Sequence, residues 1–224
     1  MSAESLKGKR ILFAGDSICE GAIDPTRRAW AGRIAETYGL EAKNVSIGGQ
    51  CMSDVRGDRV RIVGQIHREK GNTYDYVILQ GGVNDAWGTS GLGGPLKIAP
   101  VGTVSDSFDP ATFDVTTFTG GMEDTLYWCR QYFPNARLGF MSMFAMPEAK
   151  GIGRVTEIGE YYDMAEVICK KWGVDYLDMF HDEHLNEDLM EVHTLKNLKD
   201  PIHPNVAGYE ILAPYIGKWL ETLD

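Results

Sequence analysis

Apolar residues in this chain fall into short runs separated by stretches of helical period. The runs are KRILFAG (9–15), AKNVSIG (42–48), YDYVILQG (74–81), ARLGFMSMF (136–144) and VDYLDM (174–179). Each has the length of a β-strand, and several are rich in Val, Ile, Tyr or Phe. Between them, residues 26–38 place Trp30, Ile34 and Tyr38 on one stripe, and residues 55–69 place Val55, Arg59, Ile62 and Ile66 near one face. Helices are expected there and over 121–133, Val155–Trp172 and 205–220. Strands alternating with helices imply right-handed βαβ units and a buried parallel sheet. The pattern predicts one domain over 1–224, a three-layer α/β/α sandwich of flavodoxin-like type around a five-stranded parallel sheet. In such a sheet the site lies at the carboxyl ends of the strands. Residues 88–118 break the rhythm with many Gly, Pro, Ser and Thr and no helical period, and read as a long loop insert of functional interest.

Composition narrows the partners. The 224 residues carry a formal net charge of −10, which disfavours nucleic acid and anionic membrane surfaces, since both select for basic patches. No apolar run approaches the roughly 18–20 residues of a membrane span, and the first residues, MSAESLKGKR, have no apolar signal core. Cys19, Cys51, Cys129 and Cys169 are widely spaced without a CxxC pair. They read as reduced thiols, and the protein is expected to be cytoplasmic.

Four short segments carry candidate chemistry. GDSI (15–18) follows the first strand and presents Ser17, a hydroxyl that becomes a nucleophile only beside a base. DPIH (200–203) precedes the last helix, at a spacing where the Asp200 carboxylate can hold Nδ1 of His203 and leave Nε2 free for a proton. A plain helix cap would explain Asp200 but not a histidine at 203. GGVND (81–85) follows the third strand and offers the Asn84 amide, and SIGGQ (46–50) follows the second and offers a glycine N–H. Each segment alone reads equally as a turn. Together they meet at one sheet edge and supply nucleophile, base, orienter and oxyanion donors.

The four segments resemble the signature blocks of the SGNH, or GDSL, hydrolases. GDS resembles the first block and carries Ser17. NVSIGGQ resembles the second, which aligns Gly49 rather than Gly48 with the functional glycine. GGVND carries Asn84, and DPIHPNVAGY carries Asp200 and His203. The first block reads GDSI rather than GDSL, and Gln50–Cys51 stand where small hydroxyl residues are frequent. The resemblance implies a serine esterase or deacylase with Ser17, Asp200 and His203 as catalytic residues. The oxyanion would be held by Ser17, Gly49 and Asn84, with no metal or organic cofactor. Asp16 is read as a structural residue of the turn.

Other features stand beside this set. Asp175, Asp178, His181, Asp182, Glu183, His184, Glu187 and Asp188 form an acidic, His-bearing stretch without HExxH spacing, read as a solvated face rather than a metal site. Met141, Met143 and Met146 read as core. Trp87, three positions from Asn84, is assigned to substrate binding, whereas Phe108, Phe113 and Phe118 either line the site or anchor the insert. The expected substrate is a small-molecule ester, an acylated sugar being favoured over a lipid, with oligomerisation through the insert left open. The competing reading is a non-catalytic flavodoxin-like binding module.

Overall fold

The computed structural model describes residues 6–57, 60–87, 97–145, 155–192 and 202–223, with 155–157 and 191–192 described as backbone only. Five parallel strands form one sheet: β1 (Arg10–Ala14), β2 (Glu41–Asn44), β3 (Tyr76–Gln80), β4 (Arg137–Met141) and β5 (Asp175–Leu177), in the order β2-β1-β3-β4-β5. This is the doubly wound order of the sequence reading. Central β1, β3 and β4 are apolar almost throughout because both their faces are covered. β2, at the edge, reads Glu-Ala-Lys-Asn and is mostly exposed. The expected strand 42–48 is therefore shorter than its apolar signal. Val45 and Ile47 continue along β1 through single hydrogen bonds to Phe13 O (2.9 Å) and Gly15 O (3.1 Å) outside the regular ladder.

Helices α2 (Ala29–Tyr38) and α8 (Val206–Leu220) cover one face of the sheet. They meet through Trp30 and Tyr209, whose ring centroids are 5.8 Å apart. Gly217 of α8 admits the Tyr38 ring, which would lie 2.4 Å from any Cβ there. Helices α3 (Val63–Arg68), α5 (Phe118–Tyr132) and α6 (Val155–Trp172) cover the other face. α6 spans the residues its period predicted. The helix expected over 55–69 is helical only from Val63, because Gly57 (φ 94) turns the chain and Cys51 bridges to Arg61 before it. Two very short helices, α1 (Ser17–Glu20) and α4 (Val83–Trp87), and α7 (Glu183–Val192) complete the set. α1 and α4 lack the length to show a period in the sequence.

Among the described part of the insert, 97–118, a short 3-10 turn (Pro110–Thr112) is capped by Asp109. The buried Glu123 carboxylate anchors this segment. It accepts from Ser105 N (2.8 Å) and Trp172 Nε1 (3.1 Å) and pairs with Lys171. Lys171 Nζ donates to Ser105 O and Ser107 O, both at 2.7 Å, and is ringed by Phe108, Phe113 and Trp172. Phe108 and Phe113 thus tie the insert to the body. Phe118 is fully buried against Tyr161. Met141 and Met143 are core residues, while Met146 lies outside the described residues. Among the described residues no helix is long and apolar enough to cross a membrane.

Candidate active site

The chain leaves β1 through Gly15, where a Cβ would stand 2.7 Å from Gln80 O and 2.9 Å from the Cys19 Cβ. Only glycine fits that approach. Asp16 follows, fully buried, and caps α1 by accepting from Ile18 N (2.9 Å). Its second oxygen lies 3.4 Å from Gln80 Nε2. Burial, reinforced by the nearby Asp85 charge, outweighs these hydrogen bonds and lifts the Asp16 carboxyl to about 7. Asp16 is therefore a cap, in keeping with its structural assignment. Ser17 opens α1, half-buried, and its N–H is one that the helix leaves unbonded. Gly21 ends α1 at φ 80, and Tyr209 pins it to α8 by donating to Ile18 O (2.6 Å).

His203 approaches from the other end of the chain. Asn205 caps α8 by accepting from Gly208 N (2.8 Å), which fixes the residues just before the helix. The His203 Nε2 lies 2.8 Å from the Ser17 Oγ, across 186 residues of sequence. With Nε2 unprotonated, Ser17 donates this bond, the arrangement that lets an imidazole draw off the hydroxyl proton. Asp200 lies outside the described residues.

The continuation of β2 along β1 brings Gly48 against Ser17. A Cβ on Gly48 would be 3.3 Å from the Ser17 Cβ and 3.1 Å from Glu20 Oε2. The Gly48 N–H is taken, donating to that Glu20 carboxylate at 2.8 Å. Gly49 adopts φ 77, a conformation glycine favours, and its N–H has no partner among the described residues. Of the two glycines, Gly49 is thus the one with an N–H still available. Asn84 lies in α4, after the turn at Gly82 (φ 104), and its Nδ2 donates to Gln50 O at 3.0 Å. One of its two amide hydrogens remains for another acceptor.

Beneath these donors lies a buried polar layer. Asp85 accepts from Met52 N, Ser53 N (both 2.9 Å) and Ser53 Oγ (2.6 Å), so the loop after Gly49 is fastened to α4. Its burial pushes the carboxyl upward from the ordinary aspartate value. Gln65 of α3 binds Gly15 and Gln50. The sequence reading passed over Gln65, although it shares a stripe with Ile62, Ile66 and Glu69 at helical spacing, where a polar residue implies a buried partner. Trp87 ends α4, half-buried, with its indole Nε1 buried and without a partner among the described residues. Cys51 is fully buried, and burial raises its thiol far beyond neutral pH. All four cysteines are buried free thiols. In the acidic stretch, His181 precedes α7 and pairs with Asp178 (2.8 Å), whereas His184 is solvent-exposed. No group of potential metal ligands occurs among the described residues.

A doubly wound α/β sheet with a serine–histidine pair beside its reversal point, between β1 and β3, is an arrangement that hydrolases use. The sequence fixes the family. Residues 13–211 match the GDSL-like Lipase/Acylhydrolase family, and the chain belongs to it. Solved structures agree on the fold. A protein from Lactobacillus plantarum is 19% identical, with 96% of this chain and 98% of that one covered and a TM-score of 0.75. An aryl esterase from M. smegmatis is 15% identical, with 97% and 100% covered and a TM-score of 0.67. A lipase/acylhydrolase from Enterococcus faecalis is 18% identical, with 96% and 97% covered and a TM-score of 0.61. No curated protein matches the chain.

Proposed function

We propose that this hydrolase is a serine esterase acting on carboxylic esters of small or carbohydrate-linked acyl groups through an acyl-enzyme on Ser17. The observation that carries the reading is the 2.8 Å contact between His203 Nε2 and Ser17 Oγ. His203 takes the Ser17 proton as Oγ attacks the ester carbonyl carbon. The negative charge that develops on the carbonyl oxygen is met by the Ser17 and Gly49 N–H groups and the free hydrogen of the Asn84 amide. The tetrahedral intermediate collapses, the C–O bond to the alcohol breaks, and His203 returns its proton to that oxygen. Water then attacks the acyl-enzyme with the same base, releasing the acid and Ser17. Asp200 is assigned the orientation of His203 from its place in the DPIH block. Trp87 is assigned to the alcohol side of the substrate. An indole N–H one helical turn from Asn84, without a partner among the described residues, suits an oxygen-rich group better than an alkyl chain.

Ser17→Ala and His203→Ala are each expected to abolish hydrolysis of 4-nitrophenyl acetate while leaving thermal unfolding cooperative. A fluorophosphonate probe is expected to label Ser17 and no other serine. Near-wild-type turnover by Ser17→Ala would end this reading. A panel of acetylated sugars against 4-nitrophenyl esters of rising chain length tests the substrate class: preference for long acyl chains would overturn it.

A further inference from the structure

Every oxyanion donor assigned above sits in a short turn or a very short helix after a different strand, and such segments hold a common geometry only if something ties them together. The side chain of Gln65 does so. It is fully buried on α3. Its Oε1 accepts from Gly15 N at 3.0 Å, and its Nε2 donates to Gly15 O at 2.7 Å and to Gln50 Oε1 at 2.6 Å. The primary amide therefore spends both hydrogens and its oxygen on the protein. Gly15 is two residues before Ser17, and Gln50 immediately follows Gly49. The Gln50 main-chain carbonyl, linked covalently to that side chain, accepts from Asn84 Nδ2 at 3.0 Å. Gln65 and Gln50 thus form one buried chain of hydrogen bonds that touches the turns after β1, β2 and β3. The three assigned donors hang from its two ends and its middle.

We propose that Gln65 is a positioning residue of the oxyanion hole, setting the spacing between the Ser17, Gly49 and Asn84 donors through Gln50. This rests on the esterase reading. The ground-state ester makes little use of those donors, whereas the tetrahedral anion uses all of them. Loosening their spacing therefore lowers kcat and leaves KM nearly in place. A role confined to folding would lower stability without that split.

The test uses the full chain with the near-isosteric Gln65→Met and Gln50→Met. Each is followed by thermal unfolding, by kcat and KM on 4-nitrophenyl acetate, and by inhibition with phenylboronic acid, which adds to a serine as a tetrahedral anion. Gln65→Met is expected to lose about 10²-fold in kcat, comparable to removing one oxyanion donor. Its KM should stay within about 3-fold, and boronate affinity should weaken in parallel with kcat. Because the two glutamines act as one unit, Gln50→Met/Gln65→Met should be no more than about 3-fold worse than Gln65→Met. If Gln65→Met does not fold, Gln50→Met decides alone: it leaves both Gly15 bonds in place and should still lose kcat and boronate affinity together. A folded variant with kcat within 3-fold of wild type, or with raised KM and unchanged boronate affinity, overturns the proposal. Absence of esterase activity in the wild type would instead overturn the functional reading beneath it.

Discussion

Asp16→Asn is expected to stabilise the protein at alkaline pH, although it alters the residue beside Ser17. The carboxyl of Asp16 is fully buried, its neighbours are amides and backbone N–H groups, and the nearest charge, Asp85, is of the same sign. Burial therefore raises it from the ordinary aspartate value of 3.8 to about 7. Below about pH 4 the group is protonated in native and unfolded chains alike and contributes no pH dependence. Between pH 4 and 7 the native chain holds a proton that the unfolded chain has released, so rising pH favours unfolding. Above pH 7 the group is ionised in both states and the whole penalty persists. About three pH units at roughly 1.4 kcal/mol each set an upper bound of about 4 kcal/mol.

Asparagine removes that term and keeps the cap, because its Oδ1 can still accept from Ile18 N. Its Nδ2 also offers a donor to Gln80, whose Oε1 is buried without a partner. Urea unfolding of both proteins at half-unit steps from pH 4.5 to 8.5 measures the effect. The difference in unfolding free energy, Asp16→Asn minus wild type, should climb by about 2–4 kcal/mol across that range and level off above pH 7.5. Taking the difference cancels the titration of every group the substitution leaves unperturbed. Parallel stability curves for the two proteins would show that Asp16 is ionised in the fold at acid pH, and the reasoning from burial would be wrong.

Two further substitutions test how the site is braced. Gly121→Ala places a Cβ 2.4 Å from Met52 O and 2.8 Å from the Ser53 Cα, so backbone must shift. A loss of about 2 kcal/mol in urea unfolding, with a lower kcat, is expected, and wild-type values for both would refute the close approach. Lys171→Ala removes the cation that holds the insert and leaves the Glu123 carboxylate buried. It should cost about 3 kcal/mol and open the backbone near Ser105 and Ser107 to limited proteolysis, whereas an unchanged digestion pattern would show the insert is held by other means.

The sheet was legible because its central strands are buried on both faces and so carry continuous apolar runs, and the long helices because each buries one stripe. What stayed hidden has physical causes. β2 lies at an edge, so its residues are polar and its signal came from Val45–Ile47 beyond the strand. The turn at Gly57 looked helical because Val55, Ile62 and Ile66 have the right spacing by coincidence, and hydropathy does not register backbone reversal. The blocks pointed to Ser17, Gly49, Asn84 and His203 because each stands in a short segment at a strand end or helix start with its own residue pattern. The block aligns Gly49 rather than Gly48, but the physical reason for that choice is not in the local pattern: Glu20 captures the Gly48 N–H from 28 residues away. Gln65 was silent for the same reason: a lone amide in a helical stripe says that a partner exists without saying which.

These hidden contacts share a feature that explains how turns this short can hold chemistry. Gly15, Gly48 and Gly82 are places where backbone or side chain comes closer than a Cβ would comfortably permit, and such turns have little side-chain packing of their own. Their rigidity has to come from polar groups that α3, α4 and α8 deliver from below: Gln65 to Gly15, Asp85 to Met52 and Ser53, Tyr209 to Ile18. Buried polar groups are costly unless satisfied, and when satisfied they have one geometry rather than many. An apolar layer could have filled the same volume, but it would tolerate sliding by fractions of an ångström. A 2.8 Å contact between Ser17 and His203 would not survive such sliding. The expense of burying Asp16, Asp85, Gln65 and Gln80 together near Ser17 is the physical counterpart of that precision. It accounts for polar residues clustering under the carboxyl edge of β1 and β3 while the rest of the core remains mostly apolar.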